Sequence, residues 1–321
     1  MKLLIAYDGS KSSDSALDDL VLAGLPETGE ALVMSVAEVW LPPPNGGRSL
    51  ADSPAGYRFD EETESRIREQ WERGEHMVAE AEALARHARE RVVKMLPGWN
   101  VTSSATYGSP AWEVLAQADE FDPDLIVVGS QGRSAIGRFV LGSISQKVLT
   151  EAKCSVRIGR GRIEVDTSPA RVMIAFDGSK GSVAAVRSVA ARKWPAGSEV
   201  SVIAIAEQLS PSAIGRFIPP VAAIVDDVNE AERTWLEDHS AEAILILEKA
   251  GLKPEFRIVA GNPKQALIEE AENWRADCIF LGANEFGSRT ERFLLGSTSA
   301  AVAARAHCSV EVVREPLEAA G

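Results

Sequence analysis

The sequence predicts an α/β fold built twice in one chain. Three observations carry this reading. Long stretches of the first half recur in the second, each half alternates β-type runs with helical patterns, and the buried-type runs are continuously apolar. Self-similarity of this kind marks a duplicated structural unit. Alternation with continuously apolar strands implies an open, mostly parallel sheet with helices on both faces. Two tandem five-stranded sheets are therefore expected from the 321 residues.

The first copy justifies each element in turn. "LLIAY" (Leu3 to Tyr7) is a short apolar first strand. "SSDSALDDLVLAGL" places Leu17, Leu20, Val21 and Leu25 at helical spacing. "ALVMSVAEV" reads as the second strand, and the charged stretch from Glu61 to Lys94 as a long helix with an exposed face. "NVTSSATYG" is a strand, "AWEVLAQADEF" a helix, and "DLIVVG" a strand buried on both faces. "ISQKVLTEA" is the last helix and "CSVRIG" the last strand. The segment from Leu41 to about Asp60, with three consecutive prolines and "NGG", reads as a mobile loop, a lid or a partner surface.

The repeat is unequal in informative places. Asp8 and Asp177 are 169 residues apart, as are Val36 and Ile205; Gly108 and Gly261 are 153 apart, as are Gly129 and Gly282. The first copy thus holds 16 extra residues between Val36 and Gly108, in the Pro/Gly-rich loop. Gly142 and Gly296 are 154 apart, so the second copy gained one residue inside its glycine loop. Domains are expected at 1–162 and 170–321, joined by the polar "RGRIEVDTSPA".

Composition excludes several classes. A net charge of −13 argues against nucleic acid and against an anionic membrane surface. No apolar run has the ~18 residues of a membrane span. "MKLLIAYDGS" reads as a first strand and not as a signal peptide. Cys154, Cys278 and Cys308 fit free buried thiols in a reducing, cytoplasmic setting. The four histidines are scattered and read as solvated, and no Cys/His cluster suggests zinc.

The candidate site lies after the fourth strand of the first copy. Gly129, Gly132 and Gly142 follow the spacing G-x2-G-x9-G, and Ser143 opens a helix. A helix N-terminus presents unpaired N–H groups and partial positive charge, which suits an anion. Glycines let backbone N–H groups approach a ligand closely, and Ser143 and Ser145 can add hydroxyl donors. The competing reading makes the glycines turns and the serine a helix cap. Asp8, repeated as Asp177, ends the first strand, where a carboxylate can accept from a ribose or an adenine amine; its competing role is to cap the next helix.

On these residues the chain resembles the universal stress protein family, twice in tandem. Each copy has the strand-end Asp, a G-x-P turn (Gly108-Ser109-Pro110 and Gly261-Asn262-Pro263) and the glycine loop; the first matches the G-x2-G-x9-G-[ST] of the ATP-binding branch. The resemblance implies a Rossmann-like, adenine nucleotide alpha hydrolase-like fold. It implies that the last strands of the two copies meet as an intramolecular pseudo-dimer, with a further homo-dimer open. It implies ATP as ligand, with Mg2+ or Mn2+ held by the phosphates. Asp8, Ala6, Tyr7 and Val36 would then line the ribose and adenine side. Gly129, Gly132, Gly142, Ser143 and Ser145 would hold ribose and phosphates. In the second copy the matching set is Asp177, Ile205, Gly282, Gly287, Gly296, Ser297 and Ser299. There Glu285 or Phe286 replaces Gly132, which puts that site in doubt.

The expected function is ATP-dependent regulation or stress response, with no general base beside the phosphates. Two other readings stay open: an ATP-dependent adenylating enzyme on a related fold, and a nucleotide-free dimeric interaction module.

Overall fold

The computed structural model describes residues 1–39, 61–132, 141–160, 169–207, 219–283 and 295–315. The first copy runs β1 (Lys2–Ala6), α1 (Lys11–Asp18), β2 (Gly29–Ala37), α2 (Glu61–Met95), β3 (Trp99–Tyr107), α3 (Pro110–Phe121), β4 (Leu125–Gly129), α4 (Ser143–Glu151) and β5 (Ser155–Gly159). The second repeats it as β6 (Arg171–Phe176), α5 (Lys180–Ala190), β7 (Glu199–Ala206), α6 (Pro219–Lys249), β8 (Pro254–Ala260), α7 (Pro263–Asn273), β9 (Cys278–Gly282), α8 (Ser297–Arg305) and β10 (Ser309–Val313). The proline-rich segment from Leu41 to Asp60 lies outside the described residues.

Within each copy the strands are parallel, and the first lies between the second and the fourth. The two halves do not remain separate sheets. β5 pairs antiparallel with β10, Arg157 facing Glu311, so all ten strands form one sheet in the order β3-β2-β1-β4-β5-β10-β9-β6-β7-β8. This is the expected pseudo-dimer, in its most intimate form: each copy's last edge is covered by the other's, which removes two exposed edges.

Side chains alternate between the faces of a strand, and the core follows that parity. Leu4, Ile126, Val156 and Ile158 of the first copy join Met173, Ile279, Val310 and Val312 of the second in one continuous cluster under α3, α4, α7 and α8. On the other face the copies keep separate cores: Leu3, Ile5 and Val127 against α1 and α2, and Val172, Ile174 and Phe280 against α5 and α6.

The first helix is shorter than its apolar spacing predicts. α1 stops at Asp18, and a 3-10 turn, Asp19–Leu22, completes the segment. Gly24 adopts φ +62°, and the ring of Trp194 from the second copy packs against it. Glycine adopts that conformation without the strain a β-carbon brings. The histidines are exposed, as expected. Cys278 and Cys308 are buried free thiols, but Cys154 is only partly buried.

Candidate functional site

The site forms where the chain reverses the direction of its winding. β1 is followed by a helix on one face of the sheet, while α3 leads into β4 on the other face. Crevices at the carboxyl ends of two such strands are the usual ligand position in open α/β sheets. Asp8 leaves β1 there, and Gly129 to Gly132 leave β4 beside it.

Asp8 is not the helix cap. Ser10 is: its hydroxyl accepts from the Ser13 N–H at 3.1 Å. Asp8 Oδ1 accepts from the Ser10 N–H at 2.9 Å, which fixes the carboxylate at the strand end. Its Oδ2 lies on the side of Gly132, 3.5 Å from where a Cβ on that glycine would sit; among the described residues other than the glycine's chain neighbour, no other comes within 4 Å of that point. Gly132 therefore stands beside a carboxylate, and no described residue remote in the chain forbids a side chain there.

Gly129 has a different reason to be glycine. A Cβ there would come within 2.8 Å of the backbone at Ser12 and Ser13. The end of β4 packs on the first turn of α1, and the missing side chain makes that approach possible. Gly282 repeats this against Gly181 and Ser182. Gly142 is the N-cap of α4, with φ −63° and ψ 151°, and among the described residues no side-chain hydrogen bond caps the helix. Its N–H donates to the Ser130 carbonyl at 2.8 Å, tying the two ends of the loop together.

The predicted residues divide accordingly. Ala6 and Val36 pack on the face that carries α3 and α4. Tyr7 does not join them. It has the parity of Leu3 and Ile5, so its ring is buried on the α1 and α2 face, where its hydroxyl donates to Asp14 at 2.8 Å. Burial and that carboxylate push the phenol up to about 12. Tyr7 can offer the crevice only its main chain, and its N–H already donates to the Met34 carbonyl. Ser145 is also committed: it is buried and its hydroxyl donates to the Gly129 carbonyl at 2.6 Å. It joins α4 to β4 and has no proton left for a ligand. Ser143, one residue into the helix, is exposed.

Two residues outside the sequence reading belong to the same constellation. The Ser12 hydroxyl accepts from the Gln131 N–H at 3.0 Å and lies 3.1 Å from the Ser130 hydroxyl, pinning the glycine loop to α1. The repeat held the signal, since the second copy has Gly181 and Ala283 at these positions.

In the second copy Asp177 accepts from the Ser179 N–H at 3.0 Å and is exposed. Ser299 donates to the Gly282 carbonyl at 3.3 Å, Gly296 caps α8 ahead of Ser297, and Ile205 packs on the shared core. Trp235 of α6 packs directly on Gly178, next to Asp177. Gly287, Glu285 and Phe286 lie outside the described residues, as do Arg133 and Arg138 of the first loop.

The model of the Universal stress protein family matches residues 1–159 and again 170–314. The chain belongs to the universal stress protein family. Its relatives include a universal stress protein of Thermus aquaticus, 32% identical over 158 residues, which cover 49% of this chain and 97% of that one. A universal stress protein of Mycobacterium tuberculosis is 25% identical over 331 residues, covering 98% of this chain and 97% of its own. Among solved structures, a universal stress protein from Archaeoglobus fulgidus has the same fold over both copies, with a TM-score of 0.59, 21% identity and coverage of 99% and 97%. Among the described residues no helix is long and apolar enough to cross a membrane.

Proposed function

We propose that the first copy, residues 1–162, binds ATP and that the chain acts through this binding in regulation or stress response. The observation that carries the reading is the meeting of Gly132 with the Asp8 carboxylate just past the carboxyl ends of β4 and β1. Packing among the described residues does not require a glycine at Gly132, whereas it does at Gly129. A ligand whose backbone contacts need room there accounts for it. The uncapped start of α4 at Gly142 and Ser143 supplies the N–H groups and partial charge that suit phosphates. Asp8, Ala6 and Val36 would face ribose and adenine, and Mg2+ or Mn2+ would ride on the phosphates.

The second copy, residues 170–321, is proposed to bind weakly or not at all. Its loop is one residue longer, its Gly132 position is Glu285 or Phe286, and the Ser12 and Ser130 hydroxyls are absent. Losing two hydrogen bonds to a charged group costs a few kcal/mol, on the order of a hundredfold in affinity.

Calorimetric titration of ATP into wild type, Gly142→Val and Gly296→Val tests both statements. The first substitution should abolish the tight phase and the second should leave it nearly unchanged. Two equal sites, or loss of the tight phase from Gly296→Val alone, would overturn the ranking. Pyrophosphate release on mixing with ATP would favour the adenylating enzyme instead.

A further inference from the structure

The two strands at the centre of the sheet carry nearly the same sequence, "CSVRIGR" from Cys154 to Arg160 and "CSVEVVR" from Cys308 to Arg314. Matching residues make matching contacts across the seam. The Arg160 N–H donates to Ser309 Oγ at 2.8 Å, and the Arg314 N–H to Ser155 Oγ at 3.1 Å. Both pairs of inward apolar residues enter one shared core. Nothing in these contacts distinguishes the first copy from the second. Two first copies from different chains, or two second copies, would make them equally well.

The strands differ at three matched positions, Arg157/Glu311, Ile158/Val312 and Gly159/Val313, and only the first of these carries charge. Arg157 faces Glu311 in the antiparallel register, on the opposite face of the sheet, and both side chains are fully buried. Arg157 donates through Nε to Asp19 at 2.5 Å and through Nη1 to Glu311 at 3.2 Å. Arg192 donates to the other Glu311 oxygen and to the Ala23 carbonyl. The cluster is thus a chain of alternating charge: Asp19, Arg157, Glu311, Arg192. Its flanks are also unmatched between copies, since Ser188 stands at the position of Asp19, and Ala23 at that of Arg192.

We propose that this four-residue chain is a pairing code: it fits the β5 edge of a first copy to the β10 edge of a second copy and rejects a like copy. Two first copies would place Arg157 against Arg157 at the centre, and two second copies Glu311 against Glu311. Each arginine or glutamate would keep its flank, but the central contact would join like charges away from water. Like charges juxtaposed in an interface are a strong means of rejecting a partner. The partner that this edge fits is one with the apolar alternation of β10 and a carboxylate at its centre. The second copy of the same chain supplies it.

The test exchanges each residue for the one its sister copy carries. A full-length chain with Ser188→Asp, Arg192→Ala and Glu311→Arg has two first-type edges. One with Asp19→Ser, Ala23→Arg and Arg157→Glu has two second-type edges. Each alone should lose roughly 10 °C in Tm or fail to fold, because a fully buried contact has become repulsive. Co-expressed under different tags, the two should be captured together as a soluble heterocomplex in equal amounts, with a Tm near that of wild type. Either variant alone keeping the wild-type Tm would overturn the proposal. So would co-expression that gives no heterocomplex, whether or not the separate chains are soluble.

Discussion

Arg314, at the end of the second copy, donates through Nη2 to the Leu149 carbonyl in the last turn of α4 at 2.5 Å. Arg160 makes the mirror contact with the Ala303 carbonyl in α8, also at 2.5 Å. Each copy therefore finishes the C-terminus of the other's helix, where unpaired carbonyls and partial negative charge favour a cation. Burial pushes both guanidiniums down to about 10, so both remain charged at neutral pH. Arg314→Met or Arg160→Met should lower Tm by about 5 °C, since a charged hydrogen bond is worth about 1.5–3 kcal/mol. Thermal unfolding of the two variants checks this, and equal effects are expected from the matched geometry.

Gly129 and Gly132 should separate on substitution. Gly129→Ala forces a Cβ against the Ser12–Ser13 backbone, and overpacking of this kind costs about 1–3 kcal/mol. Gly132→Val places its side chain beside Asp8, in the proposed nucleotide space. It should leave Tm within a degree or two of wild type and weaken ATP on the order of a hundredfold. Paired melting curves and titrations on the two variants give the answer. A Gly132→Val chain that binds ATP normally would remove the main support for the site.

That contrast also shows what was legible in the sequence. The strand and helix order of both copies followed from apolar runs and spacing, and the loop's position after β4 followed from the glycines. Their separate reasons did not. A glycine that lets α1 pack on β4 and one that stands beside a carboxylate look alike until Ser12 and Asp8 are placed beside them. The resemblance sets Tyr7 in the crevice with Ala6, although neighbours on a strand point to opposite faces. The exchange of Arg157 for Glu311 was visible as a mismatch in the repeat. It acquired meaning only from the register that sets the two face to face.

Ser12 offers a gentler test of the loop. Its hydroxyl receives the Gln131 N–H, and the sister position is Gly181. Ser12→Gly removes the pin without adding bulk. The expected outcome is ATP weakened roughly tenfold, as one hydrogen bond is worth about 1 kcal/mol and the loop gains freedom. Tm should fall only slightly. Titration calorimetry on the variant would show it, and unchanged affinity would mean that the loop holds its shape without α1.

Alkaline pH should destabilise the fold through its thiols. Burial pushes Cys154 and Cys278 up to about 12 from an ordinary value of 9.0, and Cys308 rises as well. These groups are raised in the folded state, so the sign is fixed. Their stability is fully present below the unfolded value and is lost as pH climbs toward the folded one, because unfolding then releases protons. Each thiol contributes up to about 1.4 kcal/mol per pH unit in that window. The three together should lower stability by about 4 kcal/mol between pH 8 and pH 10. Arg160 and Arg314, pushed down to about 10, act in the opposite sense at the top of this interval, and Tyr7, pushed up to about 12, adds in the same sense as the thiols, so these smaller contributions largely offset one another. Denaturant unfolding across pH 8 to 10 would measure the slope in wild type and in the variant with all three cysteines changed to alanine. The variant should be less stable at pH 7 from lost packing, yet nearly flat with pH. A wild-type slope that survives the triple substitution would place the alkaline sensitivity elsewhere.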